Sequence, residues 1–165
     1  MNEVREYATP LAFKQALEAR LRASSATGVD LASRRQLLVF DRFLVRLSQV
    51  VRKLHALTMP RPRPNSRVRD LPDLALLAMT GPIDGKLLRQ AIERTFTFRD
   101  THAVPASVPR PPDFWDAQYA TLAVTSDLPW PTLEHAMKAV SVFINPVLRS
   151  KTADATWKPE EWEWR

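Results

Sequence analysis

The sequence of 165 residues contains no cysteine, which excludes disulfide bonds and any metal or redox site that depends on thiolates. It contains only three glycines, Gly28, Gly81 and Gly85, so it has no glycine-rich loop of the dinucleotide-binding or P-loop kind. The G-x-S-x-G, H-E-x-x-H and D-x-D patterns are also absent. The dinucleotide-binding and P-loop motifs are therefore excluded.

Long apolar segments are missing as well. No run of about 18 apolar residues occurs, which is the length that a membrane-spanning helix needs. The opening residues, MNEVREYATP, lack the apolar centre of a signal peptide. We therefore predict a cytoplasmic protein with no membrane partner.

Positive charge is concentrated in the first part of the chain. Residues 1–69 contain 14 Lys and Arg but 5 Asp and Glu, whereas residues 70–165 contain 10 and 13. This asymmetry favours a polyanionic partner, and a nucleic acid or a nucleotide is the partner that we predict. A solvated basic surface that binds nothing is the alternative.

Apolar residues recur at helical spacing in about six segments, which predicts an all-α fold in one compact domain over residues 1–165. We predict basic N-terminal helices over 9–58, a proline-rich loop over 59–66, a helical part over 67–148 and a tryptophan-containing tail over 149–165. No segment shows the alternation that is typical of strands. The tail residues Trp157, Trp162 and Trp164 are interpreted as packing anchors, with base stacking as the alternative.

Capping residues locate several helix ends. Thr9, Asp84 and Thr132 are predicted N-caps of the first, fourth and sixth helices, and Ser66 or Asp70 of the third. We expect the second helix to begin near Ser33 and to bend or break near Ser48, since it is longer than a small domain needs. Asn145-Pro146 is expected to end the sixth helix.

The best site candidates lie between Val50 and Leu77, where a basic helix end, a proline-rich loop and two carboxylates follow one another. Arginine binds phosphate through a charged fork, lysine supplies a point charge, and a carboxylate can hold a cation. Asp70 and Asp73 lie three residues apart on one helical face and could hold one Mg²⁺ with water.

Ordinary explanations of the same residues remain open. Lys53 is also explained as a solvated residue on a basic helix, and Asp70 as a helix cap that interacts with the helix dipole. We interpret His55, His102 and His135 as packing or surface residues because they are scattered along the sequence.

The run RKLHALTMPRPRPNSRVRDLPDLALLA, residues 52–78, resembles a block of the AbiEii nucleotidyl transferase toxins of bacterial toxin–antitoxin and abortive-infection systems. In that family E-K-L-H-A is followed by R-x-K-D-L-x-D-L. The runs YATPLAFKQALEARLRA and SRRQLLVFDRFLVRLSQ resemble its N-terminal helices. Everything from residue 79 to FINPVL, including THAVPASVPRPPDFW, resembles its helical C-terminal part. The resemblance covers most of the chain.

The family's nucleotidyltransferase core has no counterpart in the sequence. That core carries a Gly-Ser turn and the D-x-D that holds divalent metal ions, and the resemblance places it between about Ser48 and Val50. The chain therefore resembles an internally deleted member, truncated and without the catalytic sheet. Helical spacing continues across the junction, which is compatible with a folded product.

Catalytic roles are carried over one position at a time. Lys53 falls on the family lysine that contacts nucleotide phosphates, and Asp70 and Asp73 fall on two acidic positions of the later block. The resemblance therefore implies that Lys53, Asp70 and Asp73 are the catalytic residues.

Phosphate binding is assigned to the arginines of the same stretch, Arg52, Arg67 and Arg69, of which Arg67 matches the arginine of the block. Two residues depart from the family pattern: Arg52 replaces the glutamate before the lysine, and Pro72 lies inside the block.

The resemblance implies a nucleotidyltransferase toxin homologue, catalytically impaired and related to nucleotide transfer onto RNA such as tRNA. Such transfer relies on metal ions, so Mg²⁺ is the expected cofactor if the protein is active and no cofactor is expected otherwise. No residue is assigned as a metal ligand. The alternative is a non-catalytic helical module that binds RNA, the cognate antitoxin or a toxin copy through its basic front half.

Overall fold

A computed structural model of the protein describes residues 8–25, 27–62 and 65–165. These residues divide into two compact units, Met1–Val45 and Arg46–Arg165. The described residues form six helices and a small three-stranded sheet, so the predicted all-α fold class is confirmed. The organisation of residues 1–165 as one domain remains a prediction. No helix in the described ranges is long and apolar enough to span a lipid bilayer.

The first helix, α1, spans Pro10–Ser24. The hydroxyl of Thr9 accepts a hydrogen bond from the backbone N–H of Ala12 at 3.1 Å, which confirms Thr9 as the N-cap. Proline at the start of the helix costs no hydrogen bond, because N–H groups of the first turn have no intrahelical partner.

The second helix, α2, is a single helix of 31 residues, Gly28–Thr58. It begins earlier than the predicted start near Ser33, and the predicted break near Ser48 is wrong. No glycine or proline occurs after Gly28 until the helix has ended, so nothing interrupts its backbone hydrogen bonds. Of its apolar stripe, Leu47, Val51 and Leu54 are buried, whereas Leu37, Phe40 and Leu44 are exposed.

The second unit contains the end of α2 and seven further elements. These are α3 (Asp70–Met79), β1 (Ile83–Asp84), α4 (Gly85–Arg99), α5 (Trp115–Thr125), α6 (Leu133–Leu148), β2 (Thr156–Lys158) and β3 (Glu163–Trp164). Helices α3 and α6 pack against each other, with Leu71, Leu74, Val140 and Phe143 fully buried. The predicted N-caps Asp84 and Thr132 accept hydrogen bonds from Leu87 and His135.

The antiparallel sheet has the strand order β1-β2-β3, in which Ile83 is paired with Trp157 and Trp157 with Trp164. The sequence analysis did not predict it. The strands have two or three residues each, which is too short for an alternating pattern, and β1 meets its partner only through the long-range fold.

All three tail tryptophans donate an indole N–H to a backbone carbonyl of a helix. Trp157 donates to Ala78 in α3 at 2.8 Å, whereas Trp162 and Trp164 donate to carbonyls in α6 at 3.3 and 2.9 Å. Trp157 is fully buried. Their predicted role as packing anchors is confirmed.

Helix α6 continues through Pro146 to Leu148, so the prediction that Asn145-Pro146 ends it is wrong. Pro146 lies in the last turn, where the loss of one N–H has little effect on the rest of the helix. The carbonyls of Asn145 and Pro146 still accept hydrogen bonds from Arg149 and Lys151.

Candidate functional site

The end of α2 and the start of α3 place oppositely charged side chains in contact. The Nζ atom of Lys53 lies 2.7 Å from Oδ1 of Asp70 and 2.6 Å from Oδ2 of Asp73. Arg67 donates a guanidinium N–H to Oδ2 of Asp70 at 3.2 Å. These four residues form one ion-pair network, which we call the Lys53 cluster.

Helix geometry explains why both carboxylates reach one ammonium group. Asp70 is the first residue of α3, and Asp73 follows three residues later on the same face. Pro72 lies between them in the first turn of α3, where its missing N–H is not needed. Two carboxylates in the first turn also match the positive end of the helix dipole.

The prediction that Ser66 or Asp70 caps α3 is wrong. The N-cap is Arg69, which makes no side-chain capping hydrogen bond. The carboxylate of Asp70 instead accepts hydrogen bonds from Lys53 and Arg67. Hydrogen bonds between two charged groups are stronger than those to a neutral backbone N–H, so the ion pairs determine where this carboxylate lies.

The members of the Lys53 cluster differ in burial. The side chain of Asp70 is 5% exposed, that of Lys53 26% and that of Asp73 40%. Burial acts to lower the pKa of Lys53, but the hydrogen bonds and negative charges of Asp70 and Asp73 outweigh it and hold the pKa above its ordinary value. Lys53 is therefore a charged, paired residue at neutral pH, and it cannot accept a proton there.

A groove of about 310 Å³ borders the Lys53 cluster. Arg52, Lys53 and Asp73 line it together with uncharged residues, Gln49, Leu76, Leu77 and Thr80. Of the predicted phosphate-binding arginines, Arg67 belongs to the cluster and Arg52 shares the groove. Arg69 is exposed and does not line it.

The geometry of the Lys53 cluster does not fit a magnesium ion. Mg²⁺ needs oxygen ligands in octahedral geometry, and the position between the carboxylates of Asp70 and Asp73 holds the ammonium group of Lys53. Within residues 8–25, 27–62 and 65–165, no group of three or more His, Asp or Glu side chains could hold a metal ion. The idea that Asp70 and Asp73 together hold Mg²⁺ is therefore not supported by their contacts.

A second polar cluster joins two histidines that lie far apart in the sequence. The ring centroids of His55 and His102 are 4.8 Å apart, and each lies 4.9 Å from the ring of Phe96. His55 is only 2% exposed. These two histidines are not predictable as a pair, because no spacing pattern in the sequence signals a contact between α2 and the segment after α4.

Hydrogen bonds assign the protonation of both rings. Arg99 can only donate, so Nδ1 of His55 accepts its N–H at 3.3 Å and Nε2 of His55 donates to Thr101 at 2.8 Å. The hydroxyl of Thr101 donates to Nδ1 of His102 at 3.0 Å, and Nε2 of His102 donates to Thr58 at 2.9 Å. Donors and acceptors match along this chain when both rings are neutral.

We expect acidification to destabilise the protein through His55. Burial, followed by the charges of Arg99 and His102, holds the pKa of His55 below its ordinary value in the folded state. As the pH falls through about 6.5, the unfolded state binds a proton more readily than the folded state, so the free energy of unfolding decreases. Thermal unfolding between pH 7.5 and 5 measures this effect.

The matched variants are His55→Gln and His135→Gln. His135 lies exposed at the start of α6. His55→Gln is expected to reduce the pH dependence of the melting temperature, whereas His135→Gln keeps it. An unchanged pH dependence in His55→Gln would contradict the assignment of a neutral, buried His55.

Comparison with known proteins identifies the family of the chain. A sequence model of nucleotidyl transferase toxins from type IV toxin–antitoxin systems matches residues 46–143, which is more than half of the chain and includes the whole Lys53 cluster. The chain therefore belongs to the AbiEii family of nucleotidyl transferase toxins. No curated protein and no solved structure shows a significant match.

Membership of this family carries two general properties. The family belongs to toxin–antitoxin systems, which implies an antitoxin as a partner within the system. AbiEii nucleotidyltransferases generally use a divalent metal ion, in contrast to the contacts of Asp70 and Asp73 in this chain.

Proposed function

We propose that this chain is a truncated, catalytically impaired AbiEii protein, related by descent to the transfer of nucleotides from NTPs onto RNA such as tRNA. The observation that carries the proposal is the ammonium group of Lys53 between Asp70 and Asp73. The two carboxylates are the acidic positions that match the family block, and both are paired with a cation that belongs to the chain itself.

Nucleotidyl transfer needs positive charge at the reacting phosphate and a group that positions the attacking hydroxyl. In the Lys53 cluster, the charge of Lys53 is balanced by two carboxylates, and Asp70 is also paired with Arg67. The sequence contains no D-x-D pattern to supply further metal ligands. The four side chains of the Lys53 cluster carry no net charge, so they do not supply the positive charge that a reacting phosphate needs.

Incorporation of labelled NTPs into total tRNA tests the proposal. We expect the purified chain with Mg²⁺ or Mn²⁺ to give no incorporation above a protein-free control, while an intact AbiEii family member serves as the positive control. The contrary result is incorporation by the chain that is abolished in both Lys53→Ala and Asp70→Ala but kept in Arg94→Ala. That result would show that a working site exists and that the proposal of impaired catalysis is wrong.

RNA binding without transfer is the second candidate function, and the charge of the site region favours it. Residues 46–69 contain seven Lys or Arg residues and no Asp or Glu. Arg52, Arg61 and Arg69 in this stretch are exposed. Contacts of arginine and lysine with phosphates release counterions from the RNA. We therefore expect this chain to bind tRNA with an affinity that falls steeply as the salt concentration rises.

A further inference from the structure

A cleft of about 440 Å³ lies between the two proline-rich loops of the second unit. One wall comes from the end of α2 and the loop that follows it, and the other from the loop before α5. Apolar side chains make up most of the lining, namely Leu57, Met59, Pro62, Leu71, Pro109, Pro111, Pro112 and Trp115. Thr58, Asn65, Arg61 and Arg110 also line it, and no carboxylate is found in the lining among the residues that the structure describes.

Hydrogen bonds hold the walls in place around Asn65. Its backbone carbonyl accepts the indole N–H of Trp115 at 2.5 Å, and its side-chain amide donates to the carbonyl of Leu57 at 3.2 Å. The first loop is thereby tied to both α5 and α2. The second loop is tied to α6, because the side chain of Asn145 accepts the N–H of Val108 at 2.8 Å. These hydrogen bonds connect Asn65 on one side of the cleft and Val108 in the second loop to the surrounding helices.

The charges at the cleft favour an anionic ligand. Arg61 and Arg110 are both exposed. Asp113 lies 3.7 Å from Arg110, but both side chains are about 90% exposed, so water and a ligand compete readily for this contact. A ligand that suits this site has an apolar part for the walls and an anionic part for the two guanidinium groups.

We propose that this cleft binds one nucleotide, with its base against the proline and methionine side chains and its phosphate at Arg61 and Arg110. The volume falls in the usual range of small-ligand sites. Arginine suits both parts of a nucleotide, since its guanidinium plane stacks on bases and its fork binds phosphate. The nucleotide is either free or an unpaired residue of an RNA.

The cleft is close to the Lys53 cluster along the chain. Leu71 in its wall directly follows Asp70 in α3, and Asn65 accepts the backbone N–H of Arg67 at 3.0 Å through its side-chain oxygen. A nucleotide in the cleft would therefore be held by elements that also carry the candidate phosphate-binding residues. The inference rests on the proposed function, in that the chain handles RNA or its nucleotides.

The test compares an Arg61→Ala/Arg110→Ala double variant with Arg94→Ala, which removes an exposed arginine from α4 outside the cleft. Circular dichroism checks that each variant is folded. Calorimetric titration at low salt measures binding of NTPs, of nucleosides and of inorganic triphosphate, and fluorescence anisotropy measures binding of labelled tRNA and of a short single-stranded RNA. We expect NTPs to bind more tightly than either nucleosides or inorganic triphosphate. The affinity of the double variant for NTPs is expected to fall by at least about 10-fold, which corresponds to the loss of one charged hydrogen bond.

The outcomes separate this inference from the proposed function. Loss of NTP and single-stranded RNA binding in the double variant, but not in Arg94→Ala, supports the cleft with RNA as its source of nucleotide. Loss of NTP binding alone, in a chain that binds no RNA, supports the cleft with free nucleotide and overturns the proposed RNA binding. Salt-dependent tRNA binding that is equal in both variants overturns the cleft and leaves the proposed RNA binding standing. Absence of all binding overturns both.

Discussion

Replacing Trp157 by alanine is expected to lower the free energy of unfolding by about 3–5 kcal/mol. Trp157 is fully buried, and its ring centroid lies 4.8 Å from that of Phe143, 5.2 Å from that of Trp162 and 5.5 Å from that of Trp164. The substitution leaves a cavity among these rings. It also removes the hydrogen bond to the carbonyl of Ala78, in the last turn of α3, where no helical N–H is available as a replacement.

Urea unfolding followed by circular dichroism measures the effect. Trp157→Phe keeps most of the ring volume but loses the indole N–H. It is therefore expected to lower the free energy of unfolding by about 1–2 kcal/mol, which corresponds to one lost hydrogen bond and a small packing defect. Phe98→Ala is the surface control, because Phe98 is 90% exposed and its loss is expected to change stability by less than about 0.5 kcal/mol. Equal unfolding midpoints for Trp157→Ala and Phe98→Ala would show that Trp157 does not anchor the core.

Replacing Asp70 by alanine is expected to have the next largest effect, a loss of about 3 kcal/mol in the free energy of unfolding. The carboxylate is nearly inaccessible, and both of its oxygens are paired with cations, Lys53 and Arg67. Without it, Lys53 keeps Asp73 as its partner but remains partly buried with less compensation. Removal of one partner from a buried ion pair costs more than the pair contributes, because the other charge is left desolvated.

Asp73→Ala is the matched control for the Asp70 prediction. Its carboxylate makes an equally short contact with Lys53 but is 40% exposed, so its loss is expected to cost less than about 1 kcal/mol. The double variant Lys53→Met/Asp70→Leu removes both charges and is expected to recover much of the stability lost in Asp70→Ala. A loss as large for Asp73→Ala as for Asp70→Ala would contradict the difference in burial on which the prediction depends.

The features that the sequence predicted correctly depend on residues close together in the chain. Thr9, Asp84 and Thr132 cap helices by contacting a backbone N–H three residues later, and the six helices follow from apolar spacing within single segments. Even here a long-range contact can override the local preference. Asp70 has the chemistry of a cap, yet Lys53 from α2 takes its carboxylate.

The candidate site was predictable as a set of residues but not as an arrangement. The sequence singled out Lys53, Asp70 and Asp73 for their chemistry and their match to the family block, and their catalytic roles remain predictions. That one ammonium group bridges both carboxylates depends on how α2 and α3 pack, which no local pattern encodes. The pairing of His55 with His102 escaped prediction for the same reason.

The strand pairing of the tail has a consequence for synthesis of the protein. A ribosome makes Ala78 and Ile83 long before Trp157. In the folded protein, Trp157 pairs with Ile83 in the sheet and donates its indole N–H to the carbonyl of Ala78. A nascent chain that has just completed α6 therefore still exposes the apolar surface that Trp157 will cover, and exposed surface of this kind attracts chaperones, proteases and other unfolded chains. Translation that stops before residue 157 is therefore expected to leave this apolar surface of α3 and β1 uncovered.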